Sequence, residues 1–196
     1  MKVRNTVLLA LVALVTFAFV GKGVDYKVVK NQSKVNWRGT KVTGEHSGAI
    51  NVAEGSLKSD GKNILGGTFT IDMNSITCTD ITDEKMNQNL VGHLKSDDFF
   101  SSAKYPKATL VINKVTPKGK GQYTVAGDLT IKGIKHPVVF PATIQHAGNQ
   151  IKAKANITVD RTKYDIKYGS GSFFDNLGDK AISNEFELKV DLVAQK

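Results

Sequence analysis

The chain has 196 residues, 40% of them apolar and 23% charged, with a formal net charge of +9, a balance that excludes intrinsic disorder and suits one globular domain. Its single cysteine, Cys78, excludes an intrachain disulfide, a dithiol redox centre and a thiolate zinc cage. The basic residues are scattered, without the clustered Lys/Arg and aromatic stripes of a nucleic-acid groove, so nucleic acid is not an expected partner.

In chain order, the first feature is a short basic segment, Lys2 and Arg4, followed by an apolar run over 7–20 that Lys22 and Asp25 end. The run is short of the roughly 20 apolar residues that span a bilayer, and the pattern is that of a secretory signal peptide. We expect residues 1–22 to be this signal and 23–196 the mature domain. Cleavage is expected near 20–23, although Ala18-Phe19-Val20 fits the small-x-small rule poorly; an uncleaved anchor is the alternative. No cysteine lies near the end of the run, so lipoprotein processing is not expected. The expected location is the periplasm or the medium. Loss of Lys2 and Arg4 leaves a net charge of +7, and a cut after Lys22 leaves +6; such a surface attracts anionic head groups, so peripheral membrane contact is expected too.

Beyond residue 25 the pattern has period two. Leu65, Gly67, Phe69, Ile71 and Met73 alternate with polar or small residues. So do Tyr123, Val125, Gly127, Leu129 and Ile131, then Ile151, Ala153, Ala155, Ile157 and Val159, then Ile182, Phe186, Leu188, Val190 and Leu192. A strand turns successive side chains to opposite faces, so each segment has one dry and one wet face, as in antiparallel sheets. Shorter strands fit 26–29, 34–40, 48–57, 108–115 and 138–144. Turn chemistry separates several of them at 59–62, 117–121 and 147–149. One segment breaks the period: Met86, Leu90, Val91 and Leu94 fall at helical spacing, which predicts a helix over 83–94 with Thr82 as its N-cap and Asp83 and Glu84 at the positive end of its dipole.

About eight long strands and one short α-helix predict an all-β protein, an extended antiparallel β-barrel of the lipocalin-like kind, rather than an open sheet. The small inward residues Gly67, Gly127, Ala153 and Ala155 leave volume for an apolar guest, unless large partners opposite fill it. No catalytic constellation accompanies this pattern. His46 and Ser47 are adjacent on a strand and point to opposite faces, so they cannot form a base–nucleophile pair. His46, His93, His136 and His146 lack metal-ligand spacing. The chain is therefore expected to be neither an enzyme nor a metal or cofactor protein. An enzyme acting on a bound lipid would need a converging acid–base pair inside the pore. His93 suits a hydrogen bond tying the helix to the barrel as well as a ligand contact. Arg161 suits a surface ion pair as well as a bidentate contact to phosphate or carboxylate.

Several motifs come in order: Trp37-x-Gly39, His46-Ser47-Gly48, Gly66-Gly67-Thr68-Phe69-Thr70-Ile71-Asp72-Met73-x-Ser75-Ile76, Leu90-x-x-His93-Leu94-Lys95-Ser96-x-Asp98-Phe99-Phe100, Tyr105-Pro106-x-Ala108-Thr109, Gly127-Asp128-Leu129-Thr130-Ile131-Lys132-Gly133 and Asp160-Arg161-Thr162-x-Tyr164. Together they span nearly the whole mature chain, and the set resembles the YceI-like family of exported bacterial proteins. The resemblance implies a lipocalin-like barrel with a long hydrophobic pore that takes a polyisoprenoid, quinone-like or fatty-acid-like lipid, head group at the mouth. On it, Trp37, Phe69, Ile71, Leu90, Leu94, Phe99, Phe100, Leu129 and Ile131 are the candidate pore residues. His46, His93, Arg161 and Tyr164 are the candidate head-group residues. Similar barrels often pair, so a homodimer is an open expectation. The competing expectation is an envelope protein-interaction module with a filled core and no lipid.

Overall fold

The computed structural model describes residues 23–196; the expected signal peptide lies outside the described residues. The strands are β1 (Val24–Val28), β2 (Lys34–Lys41), β3 (Gly44–Ser59), β4 (Ile64–Cys78), β5 (Lys107–Gly119), β6 (Gln122–Ile131), β7 (Ile134–Ala147), β8 (Gln150–Asp160) and β9 (Ile182–Gln195), with α1 (Glu84–Lys95) between β4 and β5. Every pairing is antiparallel, and contacts between β3 and β4 close the sheet on itself. Both β1 and β2 lie between β3 and β9, β1 against residues 56–59 of β3 and β2 against 44–50. They form one stave interrupted by a 3-10 turn at Lys30–Gln32. The nine strands therefore make an eight-stave closed barrel. The 16 residues of β3 run roughly 50 Å at about 3.3 Å per residue. With the usual tilt of about 35–45° the wall stands roughly 40 Å tall.

Alternation sets the inward face nearly as the sequence predicts. Val125, Leu129, Ile131, Ile151, Ile157, Val159 and Leu192 are buried. Leu65 instead points outward: it is 46% exposed and Ile64 is buried in its place. The pairings Lys58↔Gly66 and Ser59↔Ile64 leave Leu65 as a bulge residue, and one extra residue turns a side chain to the other face. The helix starts one residue later than expected. Asp83 is its N-cap, because the Asp83 carboxylate accepts the Met86 N–H at 2.8 Å. The Asn87 side chain ties α1 to the barrel by donating to the Cys78 and Ile81 carbonyls.

The two ends of the barrel differ. At one, the β3–β4, β5–β6 and β7–β8 connections are tight hairpins. At the other lie α1, the loop after it and the long 161–181 connection between β8 and β9. The wall also divides at this second end. β7 and β8 pair only from Ala142↔Ala155 to Ala147↔Gln150, while residues 134–141 hold to β6 and 156–160 to β9. The Ile144 N–H donates to Gly121 O on the β6 side, so the odd-numbered residues of β7 face the seam. Two of them, Pro137 and Pro141, carry no N–H to leave unpaired there.

Candidate functional site

The barrel encloses an apolar cavity of about 280 Å³. Its floor is at the hairpin end, where Leu57, Ile64, Val115, Val125 and Ile144 line it, and Ile151 and Ala194, both fully buried, seal the wall behind. Higher up, Ala108, Ala142, Ala153 and Ala155 face it with methyl groups only, and the missing side-chain volume is the cavity. Gly67 and Gly127 have a different reason from the one expected. Neither lines the cavity. A Cβ on Gly127 would stand 2.3 Å from Val111 O, and one on Gly67 would stand 2.7 Å from Ser56 O. These glycines admit a neighbouring strand, not a guest.

All nine expected pore residues, Trp37, Phe69, Ile71, Leu90, Leu94, Phe99, Phe100, Leu129 and Ile131, line the cavity. Trp37 shows how a motif places one of them. Its indole N–H donates to Thr77 O at 2.9 Å, reaching from β2 across β3 to β4. Gly48 lies beneath, where a Cβ would come within 1.8 Å of Thr77 O and 2.7 Å of the indole nitrogen. Above, α1 turns Leu90 and Leu94 to the cavity and buries no residue completely. Phe100 meets Phe186 of β9 edge-to-face at 6.1 Å, so two rings from separate elements narrow the mouth.

The four expected head-group residues divide in two. His46 and Arg161 line the cavity; His93 and Tyr164 do not. His93 donates its Nε2–H to the Asp98 carboxylate at 2.9 Å and stands edge-on to Phe99 and Tyr168 at 4.9 and 4.7 Å, so it packs the loop after α1. Tyr164 is buried against His136, ring to ring at 5.3 Å, and burial pushes its phenol up to about 12. It fastens the 161–181 connection to β7.

His46 is held at the mouth by Asp80, Nδ1 to Oδ2 at 2.8 Å. Burial raises the Asp80 carboxyl, but the Ser47 N–H, the His46 ring and the Cys78 thiol outweigh it and hold the carboxyl at about 2. With Nδ1 engaged, Nε2 of His46 has no hydrogen-bond partner among the described residues and is left for a guest. Arg161 is 4% exposed. Its guanidinium donates to the carbonyls of Ser183, Ile166 and Ile182 at 2.8, 2.8 and 3.1 Å, lies 5.9 Å from the centre of the Phe99 ring, and has no carboxylate within ion-pair distance among the described residues. Burial lowers its pKa. Arg161 latches both ends of the 161–181 connection and also lines the cavity.

Sequence reasoning missed the rest of the rim: Thr40, Lys41, Ser183 and Glu185. One signal was present. Between Ile182 and Phe186 the inward position falls to a polar residue, Asn184, which bonds Ser170 and Ser172 of the connection. Polarity at an inward position marks where β9 leaves the apolar interior. For Asp80 there was no signal, because its position beside His46 depends on β3–β4 pairing. Among the described residues, no three His, Cys, Asp or Glu side chains are placed to hold a metal ion.

The family model of the YceI-like domain matches residues 26–194. Among solved structures, BcnA of Burkholderia cenocepacia superposes with a TM-score of 0.70 at 26% identity, over 86% of this chain and 99% of that one. A polyisoprenoid-binding domain from Saccharophagus degradans shares the fold, with a TM-score of 0.63 at 16% identity over 87% and 97%. A curated relative from Vibrio parahaemolyticus, described as a UPF0312 protein, is 33% identical over 104 residues, 52% of this chain and 51% of that protein. The chain thus spans about half the length of that curated relative.

Proposed function

The chain belongs to the YceI-like family, and on that premise we propose that it binds one long-chain apolar lipid, of polyisoprenoid, quinone-like or fatty-acid kind, and carries or sequesters it in the bacterial envelope. The observation that carries the reading is the dry cavity, lined by apolar side chains from its floor at the hairpin end up to Leu90 and Leu94 of α1. Each CH₂ moved from water into such a space contributes about 0.8 kcal/mol before the costs of association. The tail fits the floor, where Leu57, Ile64, Val115, Val125 and Ile144 line the cavity. The head group then lies among His46, Arg161, Thr40 and Ser183, where Nε2 of His46, its Nδ1–H given to Asp80, can accept from a hydroxyl or a protonated acid. The polyisoprenoid-binding domain of the same fold supports this class of ligand. The apolar run at 7–20 supports export to the periplasm or the medium. The reading needs binding only, and one copy of the chain suffices for it.

Ala155 faces the cavity midway down the barrel. Ala155→Phe fills the tunnel with a ring and leaves the wall pairing intact. A fluorescent fatty-chain probe should bind the native protein and fail to bind this variant. Equal binding by both would move the ligand out of the barrel.

A further inference from the structure

We infer that the mouth end of the barrel rests on the interfacial layer of a lipid bilayer of low net charge, with the hairpin end turned away from it. The inference rests on the lipid-binding reading and names the surface with which the cavity exchanges its guest. Ten large apolar side chains are prominently exposed among the described residues. Six of them, Val42, Met86, Tyr105, Tyr168, Phe173 and Phe174, lie at the mouth end, on the β2–β3 turn, on α1, on the loop after it and on the 161–181 connection. They come from four separate segments around one opening, which suits a planar surface better than the groove of a partner protein. Phe and Tyr are the side chains that settle at the boundary between head groups and acyl chains. Phe173 and Phe174 are each about half exposed and adjacent, and the Lys167 ammonium, paired with Asp165 at 2.7 Å, lies 5.3 Å from the Phe173 ring centre.

Charge selects the kind of bilayer. The segments of the mouth end, 38–47, 79–107, 131–136 and 160–187, carry twelve basic and twelve acidic residues. The remainder of 23–196 carries twelve basic and six acidic ones, with Lys58, Lys62, Lys118 and Lys120 in or beside the tight hairpins. A strongly anionic surface would therefore pull the hairpin end toward itself and the mouth away. Mouth-first docking must come from apolar insertion and should resist salt. The geometry also serves the guest: with the mouth on the bilayer, a hydrocarbon tail moves from acyl chains to cavity without crossing water.

Two tryptophan reporters test the orientation on the whole protein, with the signal of the single native tryptophan, Trp37, subtracted. Phe174→Trp reports on the mouth end and Asn149→Trp on the β7–β8 hairpin. Each is mixed with phosphatidylcholine vesicles containing a nitroxide-labelled lipid, at low and high salt. The expected result is a blue shift and loss of most of the added emission for Phe174→Trp at both salt levels, with Asn149→Trp unchanged. Quenching of Asn149→Trp alone, equal quenching of both, or quenching of neither overturns the inference. Uptake of a fluorescent fatty-chain probe from solution is read in parallel. Uptake without a mouth-end signal defeats the docking and leaves the carrier; a mouth-end signal without uptake does the reverse.

Discussion

The hairpin end and the mouth end are built on the same alternating strands, yet they resolve their inward faces differently. At the hairpin end, Leu57, Ile64, Val125 and Ile151 fill the space between the staves and are nearly inaccessible. At the mouth end, β7 and β8 part, α1 buries no residue completely, and polar side chains reach the cavity. The first end gains its stability from close packing. The second is held by individual hydrogen bonds: Arg161 across the 161–181 connection and Asp80 beneath His46. One chain thus combines a rigid, sealed floor with an entrance whose parts are separately fastened.

If this contrast is right, identical truncations should have unequal effects. Ile151→Ala removes a fully buried side chain from a packed layer and should cost about 3–4 kcal/mol in chemical denaturation. Leu90→Ala trims a side chain that faces open cavity and should cost less than about 1 kcal/mol. Similar losses at the two positions would erase the distinction. Arg161→Met keeps the length and removes the donors, leaving the Ile166, Ile182 and Ser183 carbonyls short of a partner. Its expected cost is about 2–3 kcal/mol, with faster amide exchange over 162–181 and unchanged protection in β3 and β4 near their hairpin. Uniform loss of protection would show that the connection is not an independent fastening.

The smallest effect concerns acid. The Asp80 carboxyl is held at about 2 against an ordinary 3.8, so its charge stabilises the fold fully above pH 4 and the contribution fades as pH falls through 2. Because the side chain is about a third exposed, a discounted value of about 1 kcal/mol is appropriate. Asp80→Asn should lower stability by that amount at neutral pH and by nothing in strong acid. A difference that persists unchanged into strong acid would assign the loss to packing.

The same contrast explains what the sequence revealed. Period two identified the barrel because the floor and middle obey it: Val125, Leu129, Ile151, Ile157 and Leu192 all point as expected. It failed at Leu65, where a bulge inserts a residue, and at Gly67 and Gly127, where the absence of a side chain admits a strand and not a ligand. It also could not sort the mouth. Arg161 and Tyr164 are three residues apart in a 3-10 turn, whose three residues per turn would by themselves stack them on one face, yet the first lines the cavity and the second packs against His136 of β7. Irregular segments place side chains through long-range contacts, and no local spacing encodes those.

The central claim is that the interior is occupied space for a hydrocarbon chain. Native mass spectrometry of the protein taken from its host, followed by organic extraction of the same sample, addresses it directly. The account predicts a mass excess corresponding to one long-chain lipid, lost on denaturation and recovered in the extract. Repeated recovery at the bare polypeptide mass, from protein that also ignores added lipid, would contradict it.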